Sequence, residues 1–167
     1  LDAKPNAAHM KLAELEKCGK LKAVVTQNID GLHQAAGSRT VYELHGSIHR
    51  NYCQKCGKFF DAVYVINADG VPKCDACGGM IKPDVVLYEE ALDSDTIQKA
   101  VQAISEADTL IIGGTSLVVY PAASFIDYFR GKNLVVINKD ATARESEASL
   151  AIHDAIGKVM EQIKVEC

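Results

Sequence analysis

The chain has 167 residues, 48% of them hydrophobic and 24% charged, with a formal net charge of −4. This composition suits one ordinary domain, or one carrying a small insert, and excludes disorder. It also excludes a basic nucleic-acid binder, which needs a Lys/Arg surplus to neutralise phosphates. Apolar runs such as 109–112 are too short to span a bilayer, and the opening Leu1-Asp-Ala-Lys-Pro-Asn6 has neither the basic region nor the apolar stretch of a signal peptide. The expectation is a soluble, cytoplasmic chain without a DNA or membrane partner.

In chain order, Asn6 to Lys17 reads as a helix, with Met10, Leu12 and Leu15 as its apolar residues and Gly19 as its stop. Leu21–Val25 reads as a buried strand running into a polar turn, Thr26-Gln-Asn-Ile-Asp-Gly31. Val41–Leu44 is a second strand, ending in His45-Gly46. Residues from about 49 to 82 show little periodicity and hold the cysteine pairs. Val85–Tyr88 reads as a strand and Ser94–Ala107 as a helix with Ile97, Val101 and Ile104 on one face. Thr109–Ile112 is a strand entering Gly113-Gly114-Thr115-Ser116, and a helix from Pro121 to about Arg130 follows, with proline in its first turn. Leu134–Ile137 is a further strand, and Ala155–Ile163 a closing helix. Continuous Val/Ile/Leu strands alternating with helices predict an α/β doubly wound parallel sheet. The expected domains are a Rossmann-like one over 1–46 and 84–167, and a small metal-binding one over 47–83.

Six cysteines are present, and four form two copies of one unit, Cys53-Gln-Lys-Cys56-Gly57 and Cys74-Asp-Ala-Cys77-Gly78, with seventeen residues between Cys56 and Cys74. That spacing predicts one structural zinc ion held by four thiolates, Cys53, Cys56, Cys74 and Cys77. With all four ligands supplied by protein no position is left for water, so the ion supports structure and not chemistry. A pair of disulfides is the alternative, and it needs an oxidising compartment. Cys18 and Cys167 read as stray thiols with no assigned role.

Ligands of such sheets sit beyond the carboxyl ends of the strands. Four polar clusters fall there: Gln27-Asn-Ile-Asp30, His45-Gly46, Gly113–Ser116 and Asn138-Lys-Asp140. Each alone has an ordinary reading as a turn or a satisfied structural residue. Together, on one edge of the predicted sheet, they indicate a nucleotide site with a basic group beside it.

The ordered set Thr26-Gln-Asn-Ile-Asp-Gly-Leu-His33, Glu43-Leu-His-Gly46, the two cysteine pairs, Lys82-Pro-Asp-Val-Val86 and Gly114-Thr-Ser-Leu-Val-Val-Tyr-Pro-Ala-Ala123 resembles the sirtuin family, the NAD-dependent protein lysine deacylases. Lys4-Pro-Asn-Ala-Ala-His9 is similar to the family's helix before the first motif. The resemblance implies NAD and zinc as cofactors and acetylated-lysine proteins or peptides as substrates. It also implies acyl transfer: the acyl oxygen attacks the nicotinamide ribose, nicotinamide leaves, a histidine base activates a ribose hydroxyl, and free lysine and O-acyl-ADP-ribose result. By matching position His45 is the base, a task that suits imidazole because it exchanges a proton near neutral pH. Asn28 and Asp30 are implied at the nicotinamide ribose and carboxamide, Gln27 at the ribose hydroxyls, with Ile29 between them. Gly114, Thr115 and Ser116 are implied on the phosphate and adenosine side, Asn138 at the adenosine ribose, and Asp154 and Ala155 at the adenine. An extended peptide is implied between Val86–Glu90 and Leu117-Val118-Val119-Tyr120, held through main-chain bonds, with Val86 and Tyr88 lining a tunnel for the acyl-lysine stem.

Two departures from the family pattern carry expectations. Glu89, in Leu87-Tyr-Glu-Glu90, occupies a usual glycine position, where a side chain narrows the peptide cleft or favours basic peptides; an unchanged peptide preference after Glu89→Gly would count against this. The family's Gly-Ala-Gly-x-Ser loop and Asp-Phe-Arg segment precede the first motif, and the chain starts after them. The expectation is a fragment of a longer protein, with a natural short form as the competing reading and an unfilled slot between hydrophobic strands that exposes their edges. Rival functions are a non-catalytic peptide-binding module and a protein mono-ADP-ribosyltransferase.

Overall fold

The computed structural model describes residues 2–167, which fall into two compact units. One comprises residues up to Val25, Leu32–Tyr42 and Asp93–Cys167; the other comprises Thr26–Gly31 and Glu43–Leu92. This division groups the 26–31 turn, His45 and residues 84–92 with the cysteine pairs, where the sequence reading assigned them to the larger domain.

The larger unit opens with α1 (Ala7–Lys17), whose N-cap Asn6 accepts from the backbone N–H groups of Ala8 and His9 and so satisfies two donors of the first turn. Gly19, at φ +69°, ends the helix, and the N–H groups of Lys20 and Leu21 both turn back to the Leu15 carbonyl. Leu21 is therefore held in the helix exit, and β1 is shorter than expected, Val24–Thr26. It pairs with β2 (Val41–Glu43) in a two-stranded ladder. The short α2 (Leu32–Ala35) lies between them in sequence.

A three-stranded parallel sheet is built from β6 (Thr109–Gly113), β7 (Asn133–Ile137) and β8 (Leu150–Ile152), in that order. The strands of this sheet agree with the α/β parallel reading, although β8 lacks any sequence signal of its own beyond three residues. Ile137 of β7 packs with Ala8 of α1 and with Met160 of α5 (Ile156–Glu161), joined by Leu12, Leu15 and Ile163. Leu134 and Val136 alternate with that set along the pleat and are also buried. The helix α4 (Ser94–Glu106) buries Ala100 and Ile104 and packs against residues Ala122–Tyr128. The latter form a 3-10 helix where an α-helix was expected, with Pro121 at its N-cap position. Cys18, the C-cap residue of α1, is disulfide-bonded to Cys167, their Cα atoms 4.9 Å apart. This corrects the expectation that both are stray thiols.

In the smaller unit, β3 (Gly46–Cys53) is the centre of an antiparallel sheet, between β4 (Phe59–Phe60) and β5 (Ile81–Val85). α3 (Ala62–Ile66) follows β4, capped by Asp61. The core is small: Phe60 and Ile81 pack on Cys53 and Cys74 themselves. The ladder between β3 and β5 slips between Ser47 and Asn51, leaving Ile48, His49 and Arg50 outside the register. Buried Asn51 holds this bulge by donating to the carbonyls of Ile48 and Phe60 at 3.1 and 3.3 Å.

Val85–Tyr88 is not a strand. β5 ends at Val85, and residues Leu87–Glu90 form a turn closed by the Glu90 N–H on the Leu87 carbonyl at 3.1 Å. Glu89 takes the third position of that turn at φ +72°, the left-handed conformation that a type II turn requires and that glycine adopts without cost. Glu89→Gly is accordingly expected to raise stability by about 0.5–1 kcal/mol, read as a higher urea midpoint. An unchanged or lower midpoint would show that this side chain makes compensating contacts.

Candidate active site and metal centre

The metal centre is built from two copies of one knuckle. In the first, the Cys53 N–H donates to the Lys58 carbonyl and the Gly57 N–H returns to the Cys53 carbonyl, both at 2.9 Å. In the second, Cys74 pairs with Gly79 and Gly78 with Cys74 in the same pattern, both at 2.8 Å. Gly57 and Gly78 sit at φ +71° and +69°, which is why each pair is followed by glycine. The four sulfurs lie within 4.8 Å of one another, with Cys53–Cys77 at 3.4 Å and Cys56–Cys74 at 3.6 Å. Four thiolates around a tetrahedral zinc with Zn–S bonds near 2.3 Å stand about 3.8 Å apart, so the donor set and its dimensions fit that ion. Burial acts to raise the Cys53 thiol, but the Cys56 and Lys55 backbone amides and the neighbouring thiols outweigh it and bring it down to about 6. At Cys77 the Gly79 amide favours the thiolate, yet hydrogen bonds with Cys56 and Cys53, together with burial, push the thiol up to about 12. Cys53 thus favours the thiolate and Cys77 the thiol within one cluster, and a divalent cation would favour the thiolate at both.

The polar turn after β1 is held by the bulge of β3. The Ile48 N–H donates to the Ile29 carbonyl at 3.1 Å, His49 Nε2 meets the Asp30 carbonyl at 2.9 Å, and His45 Nδ1 meets the Gln27 carbonyl at 2.9 Å. A carbonyl only accepts, so in the last contact Nδ1 carries the proton, and in the neutral ring the lone pair lies on Nε2 of His45. His45 is half-buried, and its own carbonyl accepts from the Val86 N–H at 3.1 Å. Gly46, next to it, sits at φ +74° with the Asp84 carbonyl 1.9 Å from where a Cβ would stand. Arg50, in the bulge, joins Glu43 at 2.6 Å and Asp84 at 2.8 Å, tying the strand before His45 to the strand facing it. Gly46→Ala is expected to cost about 2–4 kcal/mol, from overpacking and a left-handed backbone together, measured by urea unfolding. A wild-type midpoint would mean that β3 and β5 can separate here freely.

In the larger unit, the carboxyl ends of β6, β7 and β8 and the starts of α1 and α5 border a cleft of about 570 Å³. Gly114, Asn138, Asp154 and Ala155 line it, as the sequence expected of a ligand site at strand ends. Thr115 and Ser116 follow Gly114 but are not among its walls. Asn138 is oriented by its side-chain N–H on the Asp140 carbonyl at 2.9 Å, and the Ala155 N–H meets the Asp154 carboxylate at 2.6 Å. Sequence reasoning missed Lys158, and also Asn6 and Ala7, which the packing of α1 on α5 brings to the cleft. The cleft is balanced in charge: Lys139 and Lys158 line it together with Asp140 and Asp154, and Lys158 pairs with Asp154 at 3.6 Å.

The implied peptide segments sit as follows. Val86 is half-buried, Tyr88 is fully exposed at the turn, and Glu90 uses its carboxylate locally, accepting from the Leu87 N–H at 3.0 Å and Lys82 at 3.2 Å. Those bonds, the Leu87 amide foremost, hold the Glu90 carboxyl below its ordinary range. In the other unit Leu117 is buried at φ +56°, whereas Val118, Val119 and Tyr120 stand exposed.

One unit is of α/β type with a cleft at its strand ends, and the other joins a four-cysteine cluster of zinc-fitting dimensions to an oriented histidine. The Sir2 family profile matches residues 1–121, and the chain belongs to that family. It is 69% identical over 163 residues to the NAD-dependent protein deacetylase of Clostridium acetobutylicum, covering 97% of this chain and 66% of that protein. It is 63% identical to that of Clostridium perfringens, covering 97% and 67%. Among solved structures, a Sir2–p53 peptide–NAD+ complex matches with a TM-score of 0.90 at 40% identity, over 97% of this chain and 70% of the other. A Sir2 bound to acetylated peptide matches equally, at 39% identity. The chain thus spans about two thirds of the length of these curated relatives. The expectations of sirtuin membership, of the fold, and of NAD and zinc as cofactors agree with these findings.

Proposed function

We propose that this chain supplies the histidine base, the zinc module and part of the nucleotide site of an NAD-dependent protein lysine deacetylase. The observation that carries the reading is the contact of His45 Nδ1 with the Gln27 carbonyl at 2.9 Å, which commits Nδ1–H and leaves Nε2 of the neutral ring as the proton acceptor. NAD supplies the ADP-ribosyl acceptor of the acyl group and nicotinamide as the leaving group. The cleft residues Gly114, Asn138, Asp154 and Ala155, with Thr115 and Ser116 beside them, would hold its adenosine side. Gln27, Asn28, Ile29 and Asp30, of which His45 holds the Gln27 carbonyl and the β3 bulge those of Ile29 and Asp30, would meet the nicotinamide riboside. With Nδ1 held on the Gln27 carbonyl, His45 Nε2 would be the atom that accepts a proton from a hydroxyl of the bound nucleotide. Acetylated-lysine peptides are the proposed substrates, with Val86, Tyr88 and Leu117–Tyr120 as the proposed binding segments.

Among the described residues no helix is long and apolar enough to cross a membrane. We place the protein in the cytoplasm because a four-thiolate zinc centre keeps its ligands reduced there.

The test uses the full-length protein carrying this chain, NAD and an acetyl-lysine peptide, with the peptide read by mass spectrometry. Loss of the acetyl mass is expected. A gain of the ADP-ribosyl mass would instead establish mono-ADP-ribosyl transfer, and an unchanged peptide would leave a binding module.

A further inference from the structure

We infer that Cys18 and Cys167 form a reversible redox clamp that locks the two helices flanking the nucleotide cleft. The pair lies outside the metal centre, 149 residues apart in sequence, with Cα atoms 4.9 Å apart, inside the span a disulfide bridges. Cys18 is half-buried and Cys167 exposed, so small thiols and disulfides reach both. The same chain therefore carries four sulfurs whose arrangement suits metal-bound thiolates and two that are joined. In a reducing compartment, a protein disulfide is usually a transient or sensing one and not a fixture.

The position gives the bond a consequence. Cys18 caps α1, and Cys167 follows α5; the two helices pack through Ala8, Leu12 and Leu15 against Met160 and Ile163. The opposite ends of the same helices, Asn6 and Ala7 on one and Ile156 to Lys158 on the other, are walls of the cleft. At 1.5 Å per residue, α1 carries the constraint across roughly 16 Å from the bridge to the cleft. Oxidation ties the far end of α1 to the short tail that follows α5 and so restricts how far the two helices part, whereas reduction leaves their spacing to the apolar contacts alone.

The reaction balances with a low-molecular-weight disulfide as oxidant. One thiolate attacks it and expels a small thiol, and the second thiolate attacks the mixed disulfide and expels another. The two protein sulfurs are oxidised, and the small disulfide is reduced to two thiols.

The full-length, zinc-loaded protein is equilibrated with oxidised or reduced glutathione, and intact mass, alkylation at Cys18 and Cys167, zinc content and thermal midpoint are read. The oxidised protein is expected to be two hydrogens lighter, to resist alkylation at both positions, to keep its zinc, and to melt about 5–10 °C higher. Cys18→Ser and Cys167→Ser, both at accessible positions, are expected to fold and to melt alike in either buffer. Full alkylation of both cysteines under oxidising conditions would overturn the clamp. So would a bond that forms without moving the midpoint, or a redox-dependent midpoint that survives in the serine variants.

Discussion

Cys74→Ser is expected to empty the metal centre and unfold the smaller unit. Cys74 is 3% exposed and packs in the same cluster as Cys53, Phe60 and Ile81, so it is at once ligand and core. A unit whose cysteine-centred cluster adds only Phe60, Ile81 and the half-buried Val65 cannot offset the conformational entropy of its chain by that burial alone. In four-cysteine modules the missing free energy comes from the metal, with apparent zinc-binding values of about 10–16 kcal/mol at neutral pH. Losing one of four thiolates removes most of that and leaves a polar hydroxyl among apolar neighbours. Zinc content is expected to fall from one ion per chain to near zero, and amide protons of β3 and β5 to exchange as in an open chain. A strong chelator should reproduce the effect on the wild type, and added zinc should reverse it. A zinc-free variant whose β3 amides remain protected would show that the sheet stands without the ion.

What was legible in the sequence follows from how local each constraint is. The cysteine pairs could be read because a knuckle needs only five residues: two thiolates three positions apart and a glycine able to take positive φ, as Gly57 and Gly78 do. α1 and α4 could be read because their caps, Asn6 and Asp93, lie beside their apolar faces. β3 could not, since its bulge breaks the alternation that marks a strand: Ile48, His49 and Arg50 leave the ladder to hold the 26–31 turn and pair with Glu43 and Asp84. The feature that steadies the turn on which His45 rests is thus the same feature that hides the strand. Residues 85–88 misled for the opposite reason. Val-Val-Leu-Tyr has the composition of a strand, and the residue that turns the chain is Glu89, which is not a turn former. The Cys18–Cys167 bond and the contribution of Asn6 and Ala7 to the cleft depend on tertiary packing between chain positions about 150 apart, for which no pattern in the sequence exists.

His45→Gln is expected to slow deacetylation by about 10²–10⁴-fold, the usual worth of a positioned general base, while leaving nucleotide binding intact. Glutamine is the informative replacement because its amide can still donate to the Gln27 carbonyl, which His45 meets at 2.9 Å, yet it offers no basic nitrogen. The turn itself should persist in the variant, since the Ile48 N–H and His49 continue to hold the Ile29 and Asp30 carbonyls. The cleft that would take the adenosine side is lined by other residues, so titration of the full-length protein with NAD is expected to give the wild-type affinity. His45→Ala removes both the bond and the base. Equal losses in the two variants would assign the whole effect to the missing proton acceptor. A much greater loss in alanine would make orientation of the Gln27 turn the main contribution of His45. Turnover by the glutamine variant at the wild-type rate would sink the assignment of His45 as base, and with it the reading of its free Nε2.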